Sequence, residues 1–151
     1  MKRIALAATA VALLAAAPAL AESHGPVTRT VEGAYEDVMF DVETAITDAG
    51  LVIDAVNHVG DMLERTRADV GSDVTLFTNA KVFNFCSAEV SRAVMEADPM
   101  NLQYCPYTIF VMEQPGAEGE ITVGRRAYPS GTMDQVSALL DEIIDDALSG
   151  Y

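Results

Sequence analysis

Phe83–Glu113 reads FNFCSAEVSRAVMEADPMNLQYCPYTIFVME, and three patterns follow one another in it. With the residues before it, the opening reads AKVFNFC, a strand rich in β-branched and aromatic side chains. Ser87 then has the chemistry of an N-cap for a helix that carries Val90, Ala93, Val94 and Ala97, and Asp98-Pro99 ends that helix. The last segment, YTIFVME, is apolar on both faces and reads as a buried strand. Strand, helix and doubly apolar strand in succession require a sheet with helices laid against it.

The flanking sequence extends this alternation. Pro26–Val31 is a short alternating run, a first strand. Tyr35, Val38, Met39, Val42, Ala45, Ile46 and Ala49 recur at helical spacing, and Gly50 supplies the stop. LVIDAVNHV is strand-like, and a second helix is expected from Asp61 to about Asp69, ended by Gly71. After YTIFVME, the stretch QPGAEGE has the turn chemistry to reverse the chain into EITVGRRAY as a hairpin. Thr132 and Gln135 match a capping box, ahead of an apolar stripe from Val136 through Leu140 and Ile144 to Ala147. The expected order is β-α-β-α-β-α-β-β-α. Helices with a single apolar face must pack on a sheet. The fold class is therefore α+β, a two-layer sandwich of a mostly antiparallel sheet with helices on one face.

The first residues read differently. In MKRIALAATAVALLAAAPALA, Lys2 and Arg3 precede an apolar run, and Ala19-Leu20-Ala21 offers a small-residue cleavage site. Residues 1–21 are expected to be a signal peptide removed on export, with a single domain over 22–151. The apolar run is shorter than the roughly 20 residues a membrane span needs. No cysteine follows the cleavage site to carry a lipid, so no membrane anchor is expected. Loss of Lys2 and Arg3 lowers the basic count from 9 to 7 against 23 acidic residues, a net of −16. Such a surface disfavours nucleic acid and anionic membranes, which both need basic patches.

The chain has two cysteines. Cys86 ends a strand just before the Ser87 cap, near the positive end of a helix, where a thiolate is favoured. A helix of ten residues carries the chain about 15 Å away, and Pro99–Cys105 extended can span up to about 23 Å. The chain can come back, so the two sulfurs can meet. In an exported protein a disulfide is the default for such a pair. The alternative keeps both thiols reduced as ligands for a soft metal such as Cu(I), helped by His58, Met95 or Met100. Met39, Met95, Met112 and Met133 lie on helix or strand faces that packing explains. A lone histidine such as His58 is most often a surface residue.

Other chemistry is sparse. The sequence has no phosphate-binding glycine loop, no G-x-S-x-G and no zinc-type histidine pair, so no catalytic residues stand out and a non-enzymatic protein is expected. Asp145-Asp146 reads as solvated helix surface. For Arg125-Arg126, a sheet-edge role is expected ahead of anion binding.

From Val27 to about Tyr128 the chain resembles bacterial domain of unknown function 302. The likeness rests on the TVEG opening, the helix ended by Gly50, and Asn57-His58 after the second strand. It continues with a strand ending at Cys86, a short helix, ADP, and Cys105-Pro106 before YTIFVME. The resemblance implies a compact α+β domain with an antiparallel sheet, commonly a homodimer, and no settled activity. In that family the first cysteine is often followed by Asn-Pro and the second commonly follows proline. Here Ser87-Ala88 follows Cys86, and the order is Cys105-Pro106.

These readings converge on an exported, periplasmic, non-enzymatic protein that binds a small ligand or soft metal, copper being the candidate cofactor, around His58, Cys86 and Cys105. A thiol-based redox or sulfur-handling protein using Cys86 and Cys105 is the first alternative. A structural interaction module with a Cys86–Cys105 disulfide is the second. The partners expected are a second copy of the chain, and a small ligand or another exported protein.

Overall fold

The computed structural model describes residues 25–151; the expected signal peptide, residues 1–21, lies outside them. The elements are β1 (Val27–Glu32), α1 (Tyr35–Asp48), β2 (Val52–Asn57), α2 (Val59–Thr66), β3 (Asn79–Cys86), α3 (Ala88–Ala97), β4 (Tyr107–Glu113), β5 (Glu120–Arg125) and α4 (Asp134–Ala147). Single 3-10 segments follow α2, at Ala68–Val70, and α3, at Pro99–Tyr104. The order expected from the sequence is the order found.

The five strands form one sheet in the order β1-β5-β4-β3-β2, and every neighbouring pair is antiparallel. Side chains alternate across a strand, so Phe83 and Phe85 share one face with Ile109, Val111, Ile121 and Val123. All six are fully buried. Val38, Val42 and Ile46 of α1 meet them from above, with Leu140 and Ile144 of α4 and Val94 of α3. Each fully buried side chain of this size is worth about 1.5–3 kcal/mol over leaving it in water. The fold is α+β, as the sequence reading has it.

Local chemistry sets where the helices begin and end. Glu36 and Asp37 favour the positive start of α1. Its end is a left-handed turn at Gly50, φ 76°, with Leu51 N–H reaching back to the Ile46 carbonyl at 3.3 Å. The capping box at Thr132 does not form. Asp134 instead accepts from Gly131 N–H at 3.1 Å, and Met133 turns into the core at 1 % exposure, which fixes how the chain enters α4.

The helix after β2 stands apart from the other three. It starts at Val59, earlier than the spacing suggested, and Gly60 is its one buried residue. A Cβ on Gly60 would lie 2.8 Å from the backbone nitrogen of Ala80, so α2 approaches β3 main chain to main chain. Gly60→Ala is therefore expected to destabilise the fold. Overpacking costs about 1–3 kcal/mol, more than the roughly 1 kcal/mol that alanine adds to a helix. A lower urea midpoint is the expected reading, and a raised one would refute the close approach.

The outer face of the sheet carries the other half of the alternation. Val82 of β3 lies opposite Phe110 of β4, which lies opposite Gly124 of β5. Ala80, Met112 and Thr122 make the next row on one side. Asn84 and Thr108 make the row on the other, which Arg126 continues one step past the last paired residue of β5.

Candidate functional site

Three places in this fold gather chemistry: the cysteine pair, the helix seam, and a hollow on the outer sheet face.

Cys86 and Cys105 are bonded to each other, with Cα atoms 6.6 Å apart, as the out-and-back lengths allow. Among the described residues no cysteine is free. The bond closes an excursion that leaves at the end of β3 and returns at the start of β4, just past the Phe85–Tyr107 rung. That excursion is tied internally as well. Ser87 Oγ accepts from Val90 N–H at 3.2 Å, Asp98 accepts from Met100 N–H at 2.9 Å, and the buried Asn101 amide donates to the Val94 carbonyl at 2.8 Å. Asn101 thereby adds a second hydrogen bond to a last-turn carbonyl of α3, which Asp98 N–H also reaches at 3.1 Å.

Beside the excursion sit three tyrosine rings. Tyr128 meets Tyr104 and Tyr107 edge to face, with centroids 5.7 and 6.3 Å away. Ser91 Oγ donates to Tyr107 Oη at 3.2 Å, whereas the buried Tyr128 hydroxyl has no partner. Burial is the main cause that pushes Tyr128 up to about 12. A phenol in that setting stays neutral and packs; it is a poor proton donor.

The structure does not bring His58 to the cysteines. Val52 lies opposite Cys86 and Asn57 opposite Val82, so His58 falls at the other end of β3. Four residues of strand already span about 14 Å. His58 is exposed, with Nδ1 3.6 Å from Asp61 at the start of α2. Met100 is 69 % exposed on the 3-10 segment. Among the described residues no group of three or more His, Cys, Asp and Glu side chains is placed to hold a metal ion. A bonded cysteine pair also offers no thiolate to Cu(I).

The seam between α1 and α4 encloses about 680 Å³, but Asp41, Asp48, Glu142 and Asp146 line it. Tyr151 reaches across and donates to Asp41 at 2.7 Å. Further along α4, Asp141 takes Arg125 in a two-pronged pair, Nε–Oδ1 2.8 Å and Nη2–Oδ2 2.6 Å. Arg125 is 5 % exposed on β5, a strand between β1 and β4. The expectation of a sheet-edge role for Arg125 is corrected: its guanidinium pins α4 to the sheet.

The outer face holds a different kind of space. A hollow of about 340 Å³ lies over Ala80, Val82, Phe110 and Met112, walled by Val59 of α2 and by Phe77. Thr108, Pro26 and Arg126 stand at its rim. The Phe110 ring lies over Gly124, where a Cβ would come within 2.5 Å of Cζ. Gly124 thus gives the ring room to lie against the sheet. The sequence reading missed this site. Its floor was legible as the second apolar face of YTIFVME, but the Phe77 wall comes from a stretch with no periodicity.

Comparison with known proteins now adds a family. The family described as domain of unknown function DUF302 matches over residues 27–147. The chain belongs to it. The match takes in α4 as well, beyond the Tyr128 boundary of the sequence resemblance. A crystal structure of an uncharacterised conserved DUF302 protein from Bacillus stearothermophilus is similar in fold, with a TM-score of 0.56 and 15 % identity. The likeness covers 83 % of this chain and 93 % of that one. No protein of curated function matches. Among the described residues no helix of this DUF302 chain is long and apolar enough to cross a membrane.

Proposed function

We propose that this DUF302 protein is an exported, periplasmic, non-enzymatic binding protein, and that its small-ligand site is the outer-face hollow. One observation carries this reading. The hollow is concave and apolar, with Thr108 and Arg126 in one row at one side of it. That is how small-molecule sites are built, and about 340 Å³ falls at the small end of their range. The cysteine pair supports the scaffold in this reading and takes no part in binding.

The fluorescent probe 8-anilinonaphthalene-1-sulfonate tests it. Its emission is expected to rise with the native protein, and to lose that gain in Val82→Asp and in Met112→Asp. Each variant sets a carboxylate into the hollow floor. Near-UV circular dichroism checks that both variants stay folded. Emission unchanged by two folded variants would overturn the site.

A second reading is the interaction module, in which a second copy of the chain covers the same face. Phe110 and Met112 favour it, because neither is fully buried although both lie at the centre of the sheet. The net charge of −16 over residues 22–151 opposes self-association, so a dimer should tighten as salt screens the repulsion. Sedimentation at micromolar concentration then shows a dimer at moderate salt; a monomer at both low and moderate salt removes this reading.

A further inference from the structure

We infer that the hollow takes a small monocarboxylate, its apolar tail over Val82 and Met112 and its carboxylate on Arg126. This rests on the binding reading above and names the ligand class. The charge distribution is what points to it. The chain has 23 acidic residues, yet none falls in the three rows that cross the outer face of β3, β4 and β5. On β5 and β1 the first carboxylates of that face, Glu120 and its partner Glu32, lie one row beyond Thr122, and Asp54 is exposed at the bulge of the edge strand β2. Glu120 and Glu32 set no charge beside Arg126. Those two lie at the far end of β5 from Arg126.

Arg126 is the cation of the hollow. Lys81 also borders it, but its ammonium lies with α1, 3.9 Å from Glu36 and over the Tyr35 ring. Arg125 is spent on Asp141. Arg126 is exposed, and among the described residues no carboxylate pairs with it. A guanidinium meets a carboxylate through two parallel hydrogen bonds. Thr108, in the same row, adds a hydroxyl beside it. Apolar floor, aromatic wall and a single cation at one end match a tail with one anionic head. A dication or a sugar would find neither acids nor a ring of polar groups there.

Titration calorimetry with octanoate, octanol and octylammonium separates head from tail. Octanoate should bind about tenfold or more tightly than octanol, the worth of a charge-assisted hydrogen bond, and octylammonium weakest. Arg126→Gln should lower octanoate affinity about tenfold and leave octanol unchanged, and Arg126→Lys should recover part of the loss. Equal binding of octanoate and octanol, or an Arg126→Gln variant that binds octanoate as the parent does, overturns the carboxylate assignment while the hollow remains a binding site. If none of the three binds, the carboxylate assignment is overturned too; should the naphthalene-sulfonate emission also ignore Val82→Asp and Met112→Asp, the binding reading falls with it.

Discussion

Asp141→Ala is expected to lose about 3 kcal/mol of stability, because it strands the Arg125 charge in the interior. Arg125 is 5 % exposed, and its remaining polar contact is a 3.1 Å bond from Nη1 to the Arg126 carbonyl. Asp141 itself is partly open to solvent, its side chain 34 % exposed, so the loss falls at the lower end of the range for broken buried pairs. For a domain of this size the change corresponds to a fall in Tm of roughly 10 °C. Calorimetry and urea unfolding both read it. The double variant Arg125→Met with Asp141→Leu should recover most of the loss, since an apolar pair of similar volume removes the stranded charge. A single variant within about 1 kcal/mol of the parent would show that Arg125 finds water, as surface pairs do.

That pair also shows what the sequence could and could not tell. The apolar spacing of α1 and α4 and the alternation of β3 and β4 were legible, because each is written within one element. Arg125 was not. Its partner lies on another element, on the shoulder of a helix whose polar face reads as solvated throughout. Glu113 is a similar case. It reads as the polar end of a strand, yet it is buried and closes the hairpin by accepting from Asn79 at 2.8 Å and from Gly119 N–H at 2.9 Å. The site suffered most from this limit. His58, Cys86 and Cys105 were grouped by their ligand chemistry, but the antiparallel register sends His58 and Cys86 to opposite ends of β3. Register is a property of pairs of strands. The hollow depends on it too, since only the pairing of β3 with β4 and β5 sets Val82, Phe110 and Gly124 in one row. Residues 71–78 showed no pattern at all, and they deliver Phe77 to the wall because Thr78 N–H is held by the Glu113 carbonyl at 2.9 Å.

Cys86→Ser with Cys105→Ser is expected to lose about 3 kcal/mol, through the freedom regained by the unfolded chain over a loop of this length. The sequence separation is 19. Both cysteines are exchanged together so that no lone thiol is left to pair between molecules. The native loss is expected to be local first. The rungs of β3 on β4 run from Asn79–Glu113 to Phe85–Tyr107 without help from the cysteines, so the sheet persists. The excursion through α3 and the 3-10 segment is then held to the sheet chiefly by the buried Val94 side chain and the Ser91–Tyr107 bond. Amide exchange in Ala88–Tyr104 should therefore speed up in the double variant while β3 and β4 stay protected. Urea unfolding of the parent with reductant should fall onto the curve of the double variant without it. The same protein answers the question of redox chemistry. A staple shows no reactive thiol before reduction and two after it. If the native chain reacts at Cys86 and Cys105 without reductant, and the double variant matches the parent in urea, the bond is not holding the fold. The thiol-handling and soft-metal readings would then regain their ligands, and the search for function would move from the outer face of the sheet to the end of β3.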